Sequence, residues 1–261
     1  MTSIEPDAGI RVPLLRQAWR EVAFVHWRYA RSQLQPMMPR GLTVEEQDGS
    51  AWVTLTPLLM QDVRLTGMPP VPRLSTFPET NLRTYVRGPG GREGLWFFSL
   101  DAAAAWITAG ARLLLGAPYY LADLAIDGVC YTGTRLSRRR PSYRLRVQPG
   151  PPIEPVGLDV WLTHRWRAYT RHAGALLELP VRHEPWPLRA ATVTGLSESL
   201  TAAAGLPPPP DPALVHYSEG VADVVFGPAR VLASPGWSAK LPDGRFRHGR
   251  FPSGPARRSP R

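Results

Sequence analysis

The chain has 261 residues, a formal net charge of +10 at pH 7, and 43% hydrophobic against 20% charged residues; that balance excludes wholesale disorder and allows a sizeable core. Its single cysteine, Cys130, excludes an intramolecular disulfide and a thiolate-rich metal centre. The longest apolar run, residues 102–117, contains Arg112 and falls short of the roughly 18 residues that a membrane-crossing helix needs. Met1 to Asp7 show no basic segment followed by an apolar one, so no secretory signal is read there and a reducing, cytoplasmic setting without a membrane partner is expected.

In chain order, residues 18–27 are rich in aromatic and β-branched side chains and predict a strand. Tyr29 to Met38 predict a short helix stopped by Pro39 and Gly41. Leu42 to Glu46 and Ala51 to Leu55 flank Asp48-Gly49, the pair that favours a two-residue hairpin turn, so a hairpin is expected. Residues 66–78 hold Pro69, Pro70, Pro72 and Pro78 and read as a long loop. Glu79 to Arg87 and Gly94 to Leu100 predict a second hairpin around Gly88-Pro89-Gly90-Gly91, its second strand apolar enough to be central.

Asp101 reads as the N-cap of a helix that runs to Leu115 and stops at Gly116 and Pro118. Further strands are expected at 128–136, 142–148, 174–184, 188–194 and 220–226, with helices near 157–168 and 197–204. Pro207 to Pro210 read as a stiff loop inside one domain. The pattern is α+β, mostly β, with one domain over residues 15–230, an extension at 1–14 and a basic, disordered tail at 238–261. The positive charge gathers at Arg138, Arg139 and Arg140 and in that tail, as a solvated turn and a solvated end would place it; this argues against a nucleic-acid partner, although tail-mediated binding stands as a third function to test.

Phosphate-loop and dinucleotide motifs are absent, and the Gly88 to Gly91 cluster lies between strands. The six histidines contain no His-x-x-x-His pair, and no Gly-x-Ser-x-Gly elbow occurs. Neither a metal nor a cofactor is expected. Homo-oligomer formation is left open.

Val25-His26-Trp27 leading to Pro39-Arg40-Gly41-Leu42, then Phe77-Pro78-Glu79-Thr80-Asn81-Leu82-Arg83-Thr84-Tyr85-Val86, then Trp96-Phe97-Phe98-Ser99-Leu100-Asp101, form a pattern that resembles the YqjF-like bacterial family of unknown function. His183-Glu184-Pro185-Trp186-Pro187-Leu188 is a fourth match. That family is similar to acetoacetate decarboxylase, and the resemblance implies a large, curved antiparallel sheet forming a cone-like barrel around a pocket, with a few flanking helices. The decarboxylase works through a lysine Schiff base, its amine kept neutral by an apolar pocket and a second lysine. Its Pro-Lys-Lys segment corresponds to Pro118-Tyr119-Tyr120, which implies that Schiff-base chemistry is excluded.

The resemblance also places the decarboxylase's active-site arginine on Arg20, its acid after the proline-rich loop on Glu79, and a second, replaced acid near Thr56. Glu79 and Arg20 are thus the catalytic candidates, as proton carrier and anion holder, against the alternative that they form a buried ion pair. Asn81 and Arg83 alternate with Glu79 on one predicted strand face and join the pocket candidates. Tyr119 and Tyr120 are candidate phenol donors or aromatic packing, and His183 either contributes chemistry or stabilises a turn with Trp186. Two functions follow: a lyase, isomerase or cyclase acting on a small carbonyl-bearing substrate, or a non-catalytic protein that binds a small ligand in the same cavity.

Overall fold

The computed structural model describes residues 4–6, 9–210, 212 and 214–233. The basic tail expected at 238–261 lies outside the described residues. Among the described residues thirteen strands form one sheet: β1 (Leu15–Tyr29), β2 (Thr43–Val44), β3 (Ala51–Leu65), β4 (Phe77–Arg87), β5 (Glu93–Ala102), β6 (Tyr119–Asp127), β7 (Cys130–Arg135), β8 (Ser142–Pro152), β9 (Arg167–His172), β10 (Ala175–Arg182), β11 (Leu188–Glu198), β12 (Leu214–Phe226) and β13 (Arg230–Ala233). The helices are short: α1 (Arg31–Leu34), α2 (Ala105–Leu115), α3 (Leu158–Thr163) and α4 (Leu200–Ala203). None among the described residues is long and apolar enough to cross a membrane.

The strand order is β13-β10-β9-β5-β6-β7-β8-β11-β12-β1-β3-β4-β2, with further β10–β12 and β5–β4 pairings. Those two contacts curl the expected curved sheet back on itself twice. The neighbours β5-β6-β7-β8-β11-β12-β1-β3-β4 return to β5 as a ring of nine strands, and β5-β9-β10-β12-β1-β3-β4 return as a ring of seven. The wall β12-β1-β3-β4-β5 is common to both, so alternate residues on it face alternate compartments. Two pairings, β5–β6 and β5–β9, are parallel within the otherwise antiparallel sheet. β5 is central as its apolar sequence requires, bonded to β4, β6 and β9.

The nine-strand ring is filled by a single large cluster that includes Ala23, Val25, Trp27, Val53, Leu55, Leu82, Tyr131, Tyr143, Leu145 and Val147. Val22, Phe24, Leu58, Met60, Phe77, Val181, Trp186 and Leu188 form the apolar lining of the seven-strand ring, with Tyr85, Trp161 and Leu162 at one end.

Three local expectations need correction. Asp48 and Gly49 do turn with positive φ of 53° and 72°, but the ladder beyond them is one bridge, Gln47 to Ser50; Thr43 and Val44 pair instead with Arg87 and Val86 of β4. Turn chemistry was satisfied locally, while the edge of β4 took the strand. Asp101 is the penultimate residue of β5, bound to Arg135, and the α2 N-cap is Ala104; a buried cation outcompeted the helix end for the carboxylate. The helix expected over 157–168 stops at Thr163, and β9 starts four residues later, because β5 and β10 offer that segment two strand edges. α2 ends as expected, on Gly116 with φ 62°, where a Cβ would sit 2.3 Å from the Arg171 carbonyl oxygen. Arg138 to Arg140 occupy the exposed turn between β7 and β8.

Candidate functional site

β4 carries the site. Its odd-numbered residues Glu79, Asn81, Arg83 and Tyr85 share one face by strand alternation, and antiparallel register sets Leu58, Thr56 and Thr54 of β3 opposite the first three. His26 of β1 lies opposite Thr54, and His216 of β12 lies opposite Phe24. This is the face that the seven-strand ring encloses. All of these side chains are buried.

Glu79 sits at one end. It accepts a hydrogen bond at 3.1 Å from the Tyr119 hydroxyl, delivered by β6. Burial pushes its carboxyl up to about 8, against the lowering effect of the Tyr119 bond and with a smaller upward push from Asp101. Burial, reinforced by Glu79, holds the Tyr119 phenol well above its ordinary value. At neutral pH both groups therefore carry protons.

Arg83 sits nearer the other end. Burial pulls its pKa down and the Tyr85 hydroxyl, which it bonds, holds it up; a guanidinium still stays protonated. Its Cζ lies 5.5 Å from the Phe24 ring centre. Among the described residues no carboxylate forms an ion pair with it, and its Nε is buried without a partner, as are Asn81 Oδ1, Thr56 Oγ1 and His164 Nε2. Buried polar atoms are nearly always bonded; Asn81 and Arg83 of β4 and Thr56, opposite Asn81 on β3, bring three of the unpartnered atoms onto adjoining strands, while others among the described residues, such as Ser99 Oγ, Trp27 Nε1 and Arg135 Nη2, lie elsewhere.

Imidazoles surround these groups. Tyr85 donates its only hydroxyl hydrogen to the Leu162 carbonyl at 2.7 Å, so the 2.7 Å contact between Thr54 and Tyr85 must run from Thr54 to Tyr85. The Thr54 oxygen then accepts from His26 Nδ1 at 2.9 Å. His26 Nε2 meets His216 Nδ1 at 3.2 Å, and His216 Nε2 meets Asp159 of α3 at 3.0 Å. On the far side, His183 Nδ1 donates to the Glu184 carbonyl at 2.6 Å, and its ring packs on Trp166 and Trp186 at 4.7 and 4.8 Å between centres. Burial lowers His183 and His164 to about 4 and His26 well below its ordinary value. Among the described residues no three His, Cys, Asp or Glu side chains converge as a metal's donor set would.

The expected residues divide. Glu79, Asn81, Arg83, Thr56, Tyr119 and His183 all belong to the seven-strand ring. Arg20 does not meet Glu79: its Nε donates to Gln61 at 3.2 Å, and it follows Trp19, whose ring stacks on Trp186 inside the ring at 5.7 Å, so alternation turns Arg20 to the other face. Among the described residues no ion pair joins Arg20 to Glu79. Tyr120, one residue past Tyr119, likewise faces away, exposed, with the Arg135 guanidinium 4.1 Å above its ring. His26, His164, His216, Tyr85 and Asp159 were not legible as site residues; only the tyrosine, two places beyond Arg83 in an alternating strand, carried a signal.

Two surface concavities contain none of this set: a groove of about 330 Å³ lined by Asp123, Thr132 and Arg144, and one of about 460 Å³ between α2 and Leu121.

Residues 16–222 match the family described as "Uncharacterized conserved protein", DUF2071. The chain belongs to that family. "Uncharacterized protein YqjF" of Bacillus subtilis (strain 168) is 33% identical over 241 residues, which is 88% of this chain and 99% of the relative. Among solved structures, acetoacetate decarboxylase from Legionella pneumophila aligns over 87% of this chain and 90% of its own, with a TM-score of 0.59 at 15% identity. An acetoacetate decarboxylase-like enzyme from Sphingomonas wittichii RW1 aligns over 90% and 99%, with a TM-score of 0.58 at 16% identity. The enduracididine biosynthesis enzyme MppR, solved with the condensation product of pyruvate and imidazole 4-carboxaldehyde, aligns over 88% and 93%, with a TM-score of 0.58 at 13% identity. The resemblance to the YqjF-like family is thus borne out, and the chain has an acetoacetate decarboxylase-like fold.

Proposed function

We propose that this chain binds a small carbonyl-bearing compound within its seven-strand ring and moves a proton on the carbon next to the carbonyl, the step common to lyases, isomerases and cyclases of such substrates. Glu79 is the proton carrier, and Tyr119 is the phenol that bonds it or a substrate carbonyl oxygen. The observation that carries the reading is a fully buried carboxyl held up to about 8, with a phenol hydrogen-bonded to it and, on the same strand face, a guanidinium without an ion-pair partner among the described residues. A group whose pKa lies within a unit or so of the working pH is suited to both taking and returning a proton. No lysine occurs among the described residues, and tyrosines stand at 119 and 120 after Pro118, so this scheme runs through an enol or enolate rather than an imine. Fold neighbours whose names or bound ligands are oxo acids, the Legionella acetoacetate decarboxylase and MppR with pyruvate, support starting from that class.

Solvent deuterium exchange tests it. A panel of 2-, 3- and 4-oxo acids and simple ketones is incubated with the full chain in deuterium oxide, and loss of the carbon-bound proton signal is followed by NMR. A substrate should exchange at a rate that rises with pH and levels off above about 8, as ionised Glu79 accumulates. Glu79→Gln should slow exchange by about 100-fold or more while leaving binding in place. Saturable binding with no exchange in any member would favour a ligand-binding protein over an enzyme.

A further inference from the structure

We infer that Arg83 is an anion subsite that takes the singly charged carboxylate of an oxo or hydroxy acid, with Asn81 and Thr56 bonding the adjacent enol or hydroxyl oxygen. This rests on the reading above that the seven-strand ring holds a carbonyl compound, and it names that compound's class.

Charge comes first. Arg83 is 8% exposed and has no carboxylate partner among the described residues. A buried cation is strongly driven to find an anion. Glu79 does not supply one: it lies four residues along the same strand, about 13 Å between Cα atoms at strand rise, and bonds Tyr119 instead. The neighbouring imidazoles, His26 and His183, add no second cation of their own at neutral pH. One unbalanced positive charge matches a monoanion.

Geometry narrows the class. The Tyr85 oxygen, fixed as an acceptor by its bond to Leu162 and by the Thr54 and His26 donors behind it, holds one side of the guanidinium. Phe24 packs against it. The unpaired Nε leaves a donor of the planar fork that suits a carboxylate. Asn81 Oδ1, the next residue on that face, is an unpaired acceptor and repels an anion; it requires a hydrogen donor, which an enol or hydroxyl supplies. Thr56 Oγ1, opposite Asn81 and also unpaired, can give or take. Read from Arg83 to Glu79, the order is carboxylate, then enolisable or hydroxylated carbon, then the proton carrier. Phosphate, a mixture of monoanion and dianion at neutral pH, is tetrahedral rather than planar and carries more acceptors than this set has donors, so it fits poorly.

The test is calorimetric titration of the full chain with 4-oxopentanoate, methyl 4-oxopentanoate, formate and inorganic phosphate. The free acid should bind at least about tenfold tighter than its ester, formate should compete with it, and Arg83→Met should bring acid and ester to within about twofold. Arg83→Lys should restore part of the preference, since it returns the charge without the fork. Glu79→Gln should keep the preference, which separates this proposal from the one it rests on: Glu79-dependent proton exchange with an unchanged acid preference in Arg83→Met sinks the subsite alone, whereas the reverse pattern sinks the proton carrier alone. Equal affinity of acid and ester for the native chain overturns the subsite. So do phosphate binding tighter than the oxo acid, and the absence of saturable binding by the acid and formate up to about 100 mM. Thermal unfolding of Arg83→Met, expected at or above the native temperature, verifies that any loss is not a loss of fold.

Discussion

The two rings share five strands and solve the burial of charge in opposite ways. In the nine-strand ring the buried cation Arg135 is neutralised by Asp101, its Nε 2.8 and 2.9 Å from the two carboxylate oxygens, and Thr80 and Tyr143 bond one another at 2.6 Å. Aliphatic and aromatic packing fills most of the remainder, although Arg135 Nη2, Ser99 Oγ and Trp27 Nε1 are buried there without partners. Across the wall, often one residue away on the same strand, the seven-strand ring keeps Glu79 and Arg83 buried, separate and without compensating charge. One compartment is built as a core would be built for stability, and the other spends stability on groups that water or packing would serve better. Proteins retain such groups where they act on something.

The largest test of that contrast is the pH dependence of Glu79. In the unfolded chain its carboxyl ionises near its ordinary value of 4.5, and in the fold only near 8. Below pH 4.5 both states are protonated and the group is neutral to stability. Between 4.5 and 8 the unfolded state releases a proton that the folded state keeps, so stability falls with rising pH and becomes flat above 8. The total is at most about 5 kcal/mol, taking about 1.4 kcal/mol per unit. Glu79→Gln should therefore gain stability over the native chain at pH 9 and match it at pH 4, as read by urea unfolding across that range. Identical pH curves for the two proteins would mean that Glu79 is not held apart from solvent as the contrast requires.

Next in size is a paired comparison of the two cations. Asp101→Ala strands Arg135 in the nine-strand ring and should cost about 3–5 kcal/mol. Arg83→Met removes a cation that has no carboxylate partner and should be neutral or stabilising by about 1–4 kcal/mol. Chemical denaturation at pH 7 measures both. If Arg83→Met proves as damaging as Asp101→Ala, the rings do not differ in the way described, and Arg83 is a structural element of its wall.

How far this was legible depends on what each residue's role rests on. The alternation of Glu79, Asn81 and Arg83 is local, with a period of two that any strand must obey, and the sequence places them correctly on one face. Asp48-Gly49 is equally local, yet the strand before it pairs with β4, because edge choice depends on distant segments. Arg20 was assigned by correspondence along the chain, but the facing of β1 depends on its register, which shifts between Arg20 and Val25, and Glu21 there has a positive φ of 51°. Such an irregularity reverses which residues point inward and leaves no compositional trace. The histidine chain is the extreme case: His26, Thr54 and His216 lie 28 and 190 residues apart in their contacts, and only the three-dimensional ring brings them together.

The smallest expected effect is also the one that discriminates best between the two assignments of the anion holder. Arg20 is partly exposed and bonded to Gln61, so Arg20→Ala loses one side-chain hydrogen bond near solvent and should shift stability by about 0.5 kcal/mol or less. On the geometry of the seven-strand ring it should also leave oxo-acid affinity and the acid-over-ester preference unchanged, because its strand position directs it away from Glu79 and Arg83. Titration of Arg20→Ala beside Arg83→Met decides the matter. If Arg20→Ala abolishes the preference and Arg83→Met does not, the anion enters from the β1 side, the correspondence drawn along the sequence is right, and the buried guanidinium at Arg83 is left as an unneutralised charge that the wall of the ring tolerates for another reason. If the reverse holds, this chain has moved its anion holder from β1 to β4, onto the same strand as its proton carrier.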